Sequence, residues 1–324
     1  MSTAGRTWAM VLAAGDGTRL ASLTTDSRGV AIPKQFCSLH GDSSLPHDAL
    51  SRASSLAPRA RTCVIVAAQH RPYWRNLGSS VPEMNVIVQP RNCGTAHGIM
   101  PSVLHILARD PQARIVFLPA DHYVRDKAAL ARGLQTFASQ LRLFRRELLL
   151  LGIEPEAADP ELGYIVPAPG DAEGARSVHQ FVEKPDVRTA RALLGRGALW
   201  NSFIFAAHGT ALMELLRSRM AGTLASMTLA VEQIVRRGDN GLLEALYGSL
   251  ESVDFSRDIV EGAEAQLRVI GAPACGWTDL GTPQRVAETL QQLAAAGKHQ
   301  PRVTAELPAF INLARQHAQL RMSA

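Results

Sequence analysis

The apolar positions of the chain fall into two alternating patterns. Short, nearly unbroken apolar runs occur at TWAMVLAA (7–14), TCVIVAA (62–68), MNVIVQ (84–89), ARIVFLPA (113–120) and ELLLLGI (147–153). Runs of that length, apolar on both faces, predict buried strands of a parallel sheet covered on each side. Between them, HDALSRASSLA, GTAHGIMPSVLHILARD and KAALARGLQTFASQLRLFRR carry apolar residues at i, i+3, i+4 and i+7. That spacing predicts crossover helices. The alternation predicts a doubly wound, mainly parallel, Rossmann-like α/β fold.

Beyond about residue 160 the pattern changes. GYIVPA and SVHQFVEKP read as strands parted by the turn PGDAEGA, followed by a helix (186–195), a strand (199–206) and a long helical region (208–248). QLRVIGA adds a strand, and the chain reads as helical from about 282. No linker divides it, so residues 1–285 are expected to form one α/β domain and 286–324 a small helical appendage. The basic tail after Lys298 carries Phe310, Ile311, Leu313 and Leu320. Both a homodimer contact and a docked terminal helix are open to it.

Composition narrows the partners. At 324 residues, 46% hydrophobic and 19% charged, the chain is ordinary for a globular protein. No apolar run approaches the ~20 residues of a membrane span. The start, MSTAGRTWAM, lacks the apolar core of a signal peptide, so a cytoplasmic location is expected. A formal charge of +5 suits anionic small molecules, while the absence of a dense basic run argues against nucleic acid. Cys37, Cys63, Cys93 and Cys275 form no CxxC pair, so reduced, buried thiols are expected.

Four places carry candidate chemistry. Gly15 and Gly17 end the first strand, where the carboxyl edge of a parallel sheet binds ligands. Leu20 breaks the dinucleotide pattern GxGxxG, and no GxxxxGK[ST] string exists. What remains is a glycine turn with Arg19 inside it and Lys34 beyond, readable as a polyphosphate cradle or as a plain turn with two solvated cations. Asp121 in PADH ends a predicted strand, where it can hold a hard cation or cap a turn. Glu183 and Lys184 in EKP are either a surface ion pair or an acceptor and a point charge for a phosphorylated, hydroxyl-rich ligand. Gln89, Asn92, Gly94 and Thr95 lie between a strand end and a helix start, as a turn with a cap or as groups that read a nucleobase edge.

Taken in order, LAAGDGTRL…PKQF, QPRNCGTAHGI, LPADHYVRD, LGIEPEAADPELGYI, FVEKPDVRTA, WNSFIF and GWTDLGTPQRV resemble the motifs of the sugar-1-phosphate nucleotidyltransferases. The likeness is greatest to the mannose-1-phosphate guanylyltransferases, in a short form without the isomerase barrel of the long bacterial members. The resemblance implies the nucleotide-diphospho-sugar transferase fold and attack of a sugar-1-phosphate on the α-phosphorus of an NTP, with pyrophosphate leaving. It implies Mg²⁺ on Asp121 and Asp279, with Arg19 and Lys34 on the triphosphate. Ala13, Ala14, Gly15, Gly17, Thr18, Gln89, Asn92, Gly94 and Thr95 would face the nucleotide. Gly163, Glu183, Lys184 and Asn201 would face the sugar phosphate. The PKQF form is similar to the guanylyl branch, implying GTP.

The chain departs from that pattern at several positions. Ala21-Ser22 stands where Trp-Pro is usual, His97 where Pro is usual and Leu162 where Tyr is usual. Phe203 stands where the motif has a glycine beside the sugar, which leaves the sugar open. Three readings follow: guanylyl transfer to mannose-1-phosphate, transfer with another base or sugar, and a weakly catalytic homologue that binds NDP-sugar and regulates a partner. The intact set of Arg19, Lys34, Asp121, Lys184 and Asp279 favours catalysis.

Overall fold

The computed structural model describes residues 6–26, 29–38, 43–75, 77, 80–170 and 174–296. Eleven strands are present among them: β1 (Thr7–Ala13), β2 (Thr62–Ala67), β3 (Val86–Gln89), β4 (Arg114–Pro119), β5 (Tyr123–Val124), β6 (Leu148–Ile153), β7 (Tyr164–Pro167), β8 (Arg176–Val182), β9 (Leu199–His208), β10 (Leu267–Gly271) and β11 (Trp277–Thr278). The helices are α1 (Ala21–Thr24), α2 (Leu45–Ser54), α3 (Arg71–Trp74), α4 (Thr95–Leu107), α5 (Lys127–Gln140), α6 (Val187–Leu194), α7 (Gly209–Arg237), α8 (Gly241–Ser249) and α9 (Pro283–Ala295).

A nine-stranded sheet in the order β3-β2-β1-β4-β9-β6-β10-β8-β7 organises the chain. Within it β3, β2, β1 and β4 pair in parallel, as do β6 and β10. β8 and β9 run against their neighbours. The expected mainly parallel sheet is therefore present, with two strands reversed: β8 lies between β10 and β7, and β9 inserts between β4 and β6. An apolar run fixes burial but carries no strand direction, so the insertion has no signal in the pattern.

Alternate residues along each strand enter opposite cores. Ala9, Val11, Val64 and Val66 pack with residues of α2, α5 and α9 on one face. Trp8, Met10, Cys63 and Ile65 pack with residues of α4, α7 and α8 on the other. This two-sided burial is why the strands read as continuous apolar runs. The long helical region is interrupted at Met220, where φ −142° and ψ 45° leave the helical range, and it ends at Gly238 in the left-handed region before α8. The four cysteines are buried free thiols, as expected. No helix among the described residues is long and apolar enough to cross a membrane.

α9 begins at Pro283, capped by Thr282, and buries Val286, Leu290 and Leu293. The start of the expected appendage thus packs on the main core. The tail after Lys298, open to docking or dimerisation, lies outside the described residues.

Candidate active site

A cleft of about 360 Å³ opens over the carboxyl ends of β1, β3 and β4. From the loop after β1 it takes Ala14, Gly15, Gly17 and Arg19, whereas Ala13 and Thr18 do not line it. Gln35 ties this loop down, its side-chain amide donating to the carbonyls of Ala13 (3.2 Å) and Gly15 (2.6 Å). The two glycines differ in role. Gly17 has φ 64°, and a Cβ there would lie 2.6 Å from the Lys34 nitrogen, so the turn itself requires it. A Cβ on Gly15 would meet nothing within 4 Å. Between them, Asp16 accepts from Gln69 (3.1 Å) and from Asn92 (3.0 Å), which joins the glycine loop to the segment after β3. Arg19 reaches Glu161 at 3.0 Å, both side chains about half exposed.

Lys34 and Asp121 meet beneath this loop. The Lys34 ammonium is 6% exposed and lies 2.8 Å from Asp121 Oδ2. It also donates to the carbonyl of Asp279 at 2.7 Å. The structure therefore engages Lys34 with both aspartates rather than presenting it on the cleft wall. Asp121 keeps 38% of its side chain exposed and lines the cleft. Burial would raise its pKa, but Lys34 and then His122 outweigh burial and hold it down at about 2, so it is ionised at neutral pH. Trp277 donates to His122 Nδ1 at 3.2 Å, which leaves the proton on Nε2, 3.5 Å from Asp121. Burial lowers the His122 pKa to about 4, so that imidazole is neutral.

The carboxylate of Asp279 lines the same cleft and is fixed on one oxygen. Oδ1 accepts from the Gly281 nitrogen at 2.9 Å and from Arg285. Arg285 pairs at its other end with Asp159. An ionised Asp121 open to the cleft, with the Asp279 carboxylate lining the same cleft, fits a hard divalent cation that takes one or two protein carboxylates and fills its shell with phosphates and water. Among the described residues there is no larger His, Cys, Asp and Glu cluster suited to a metal.

On the far side of β4, the ends of β7, β8 and β9 supply Gly163, Glu183, Lys184 and Asn201 to the cleft. Glu183 is nearly buried, and its Oε2 has no hydrogen-bond partner. A Cβ on Gly163 would come within 2.4 Å of that oxygen, so the glycine makes room for the carboxylate. Burial, then the nearby Asp254, push the Glu183 pKa up to about 7, against the opposing charge of Lys184. Lys184 Nζ lies 4.0 Å from Glu183 Oε1. Asp186 caps α6 by accepting from Thr189, which starts that helix directly after the Glu-Lys-Pro turn. Asn201 donates to Ser256 at 3.2 Å and accepts from the Phe203 nitrogen at 3.0 Å.

Phe203, which stands where the motif has a glycine, takes a left-handed backbone with φ 55°, a conformation that favours glycine. It sits where the register of β6 and β9 shifts between Leu150 and Gly152. The irregularity turns the ring into the cleft, edge-on to Phe205 and Phe255. Among the described residues, the non-glycine positions with positive φ are Lys184, Phe203 and Leu280. Each is a site residue or adjoins one, which is where backbone strain gathers in functional clefts.

Gln89, at the end of β3, lines the cleft with its Oε1 buried and unpartnered. Gly94 and Thr95 also line it but have structural duties. A Cβ on Gly94 would strike the Val253 backbone at 2.2 Å, and the Thr95 hydroxyl accepts from the Phe255 nitrogen at 2.7 Å. His97 is buried, held neutral by burial, with Nδ1 2.7 Å from the Cys93 carbonyl. Leu162 fills the cleft wall where the motif has Tyr.

Sequence reasoning passed over Asp254 and Ser256, which line the cleft from a segment without a distinctive pattern. Arg285 has no separate signal either, although it stands within the GWTDLGTPQRV motif.

A family profile described as nucleotidyl transferase matches residues 8–296. Xanthan biosynthesis protein XanB of Xanthomonas campestris pv. campestris is 29% identical over 90% of this chain and 61% of its own length. Mannose-1-phosphate guanylyltransferase 2 of Escherichia coli O157:H7 is 29% identical over 85% of this chain and 58% of its own. The chain thus spans less than two thirds of either relative. A solved structure of mannose-1-phosphate geranyltransferase from Thermus thermophilus is 28% identical, with a TM-score of 0.73 over 88% of this chain and 79% of that one.

Proposed function

The chain belongs to the nucleotidyl transferase family, and from that premise we propose that it transfers a nucleoside monophosphate from an NTP to a sugar-1-phosphate. GTP and mannose-1-phosphate are the proposed pair, giving GDP-mannose and pyrophosphate. The observation that carries this reading is a pair of unpartnered buried acceptors in one cleft: Gln89 Oε1 and Glu183 Oε2. Buried acceptors without donors are costly, so each calls for a ligand donor. The sheet order sets Gln89, on β3, and Glu183, after β8, on opposite sides of β1 and β4. A nucleobase N–H suits the first, and sugar hydroxyls suit the second. Gly15 and Asp121 lie between them, where the phosphates would sit.

The reaction needs little covalent help. An oxygen of the sugar phosphate is anionic near neutral pH and attacks the α-phosphorus in line as pyrophosphate departs. Positioning and charge neutralisation then supply most of the acceleration. Mg²⁺ held by Asp121 and Asp279 would neutralise phosphate charge. Gly15 leaves its backbone open to phosphate oxygens, Arg19 can exchange Glu161 for a phosphate, and Lys184 holds the attacking group. Guanine and mannose as the base and sugar are supported by the likeness to the Escherichia coli mannose-1-phosphate guanylyltransferase 2. A second reading, an NDP-sugar-binding homologue with little turnover, draws on the pairing of Asp279 with Arg285. Pyrophosphate release by the wild-type chain separates the two, since the binding reading expects little of it. The enzyme reading expects release that falls by orders of magnitude in Asp121→Asn with the fold kept, and turnover unchanged in that variant would remove the metal from the account.

A further inference from the structure

We infer that Arg285 is a positioning residue, which sets the carboxylate of Asp279 for the metal and ties it to the loop that walls the sugar side of the cleft. This rests on the reading above, in which Asp279 is a metal ligand. Arg285 joins two carboxylates, Asp279 through Nη1 and Asp159 through Nη2. All three side chains are largely buried, at 15% exposure for Arg285, 13% for Asp279 and 24% for Asp159. A planar guanidinium with two forks suits such a bridge, and an ammonium does not.

Arg285 acts from behind the cleft. It lies in a neighbouring cavity of about 470 Å³, and Asp279 forms part of the wall common to the two. Its pairing and the Gly281 nitrogen both occupy Asp279 Oδ1. Oδ2 is the oxygen a Cβ on Gly281 would strike at 2.3 Å, so residue 281 must be glycine for the carboxylate to stand this way. The backbone is held as well, since Lys34 grips the Asp279 carbonyl and Leu280 takes φ 51°. Charge supports the same role. Lys34 offsets Asp121, while one arginine against Asp159 and Asp279 leaves a net negative charge for a divalent cation.

The other end of the bridge is equally anchored. Asp159 Oδ1 accepts from the Glu161 nitrogen at 2.8 Å, and the Tyr164 hydroxyl contacts the Asp159 backbone. Leu162 and Gly163 follow directly and line the cleft. Arg285 therefore couples the metal carboxylate to the sugar-side wall. Groups that orient a metal ligand typically control affinity by 10- to 100-fold.

The test compares binding of GTP with Mn²⁺ and of GTP in EDTA, by calorimetry, in the full chain. The ratio of the two dissociation constants isolates the metal contribution. Arg285→Ala should shrink that ratio about tenfold while affinity for metal-free GTP stays within about twofold. Arg285→Lys should recover only part of it. Asp159→Asn, which keeps the Asp279 pairing, should give an intermediate loss and carries the test if Arg285→Ala does not fold. A wild-type ratio near one, unmoved by Asp121→Asn, would overturn the metal reading itself. A large wild-type ratio that collapses in Asp121→Asn but is unchanged in Arg285→Ala and Asp159→Asn would overturn only the role of Arg285.

Discussion

The ammonium of Lys34 lies 2.8 Å from Asp121 and 2.7 Å from the carbonyl of Asp279, so one buried cation joins the two acidic residues of the site. Removing it leaves Asp121 beside the cleft without its main counter-charge. Lys34→Met should raise the Asp121 pKa towards the ordinary carboxylate range and destabilise the fold by about 1–3 kcal/mol. Chemical denaturation, with NMR titration of the Asp121 carboxyl, reads both. An unshifted Asp121 would show that Lys34 does not set its charge.

Gly15 and Gly17 should respond differently to the same substitution. Gly17→Ala strains a left-handed turn and meets the Lys34 backbone, so it should cost about 1–3 kcal/mol. Gly15→Ala meets open space and should leave thermal stability unchanged. If the open side of Gly15 receives phosphate, the same variant should weaken NTP binding at least severalfold. Equal NTP affinity in Gly15→Ala and wild type would place the triphosphate elsewhere.

Glu183 offers a pH test with a defined sign. Its pKa is raised from 4.5 to about 7, so the folded state holds a proton that the unfolded state has lost between those values. The penalty is absent below about pH 4.5, grows as pH rises, and is complete above about pH 7, at no more than on the order of 3 kcal/mol. Glu183→Gln should therefore gain stability over wild type at pH 8 and little at pH 4.5. A difference that stays constant across this range would show that Glu183 titrates normally.

Phe203→Gly restores the residue that the backbone geometry favours. Relief of about 1–2 kcal/mol of left-handed strain should roughly offset the lost ring contacts with Phe205 and Phe255. Stability should change little, while the sugar-1-phosphate preference broadens. An identical substrate profile would show that the ring does not limit the pocket.

The first four strands and the glycine loop were readable because two-sided burial writes a continuous apolar run, and the turn after β1 needs a glycine at Gly17. The ordered motifs brought most of the site residues to one cleft. Relations across long sequence separations were not readable. The Lys34–Asp121 pair, the Arg285 bridge to Asp159 and the antiparallel insertion of β9 depend on which strands become neighbours. The short β5–β11 pairing is only two residues long on each side, too brief to leave a periodic signal. Phe203 was visible as a departure, but its glycine-like backbone appears only in three dimensions.

The most direct measurement is pyrophosphate release from four NTPs against a panel of sugar-1-phosphates with Mg²⁺. The account predicts release that needs both substrates, is greatest with GTP and mannose-1-phosphate, and is abolished by Asp121→Asn. No release from any pair, with NDP-sugar still bound, would contradict catalysis and leave a binding protein in its place.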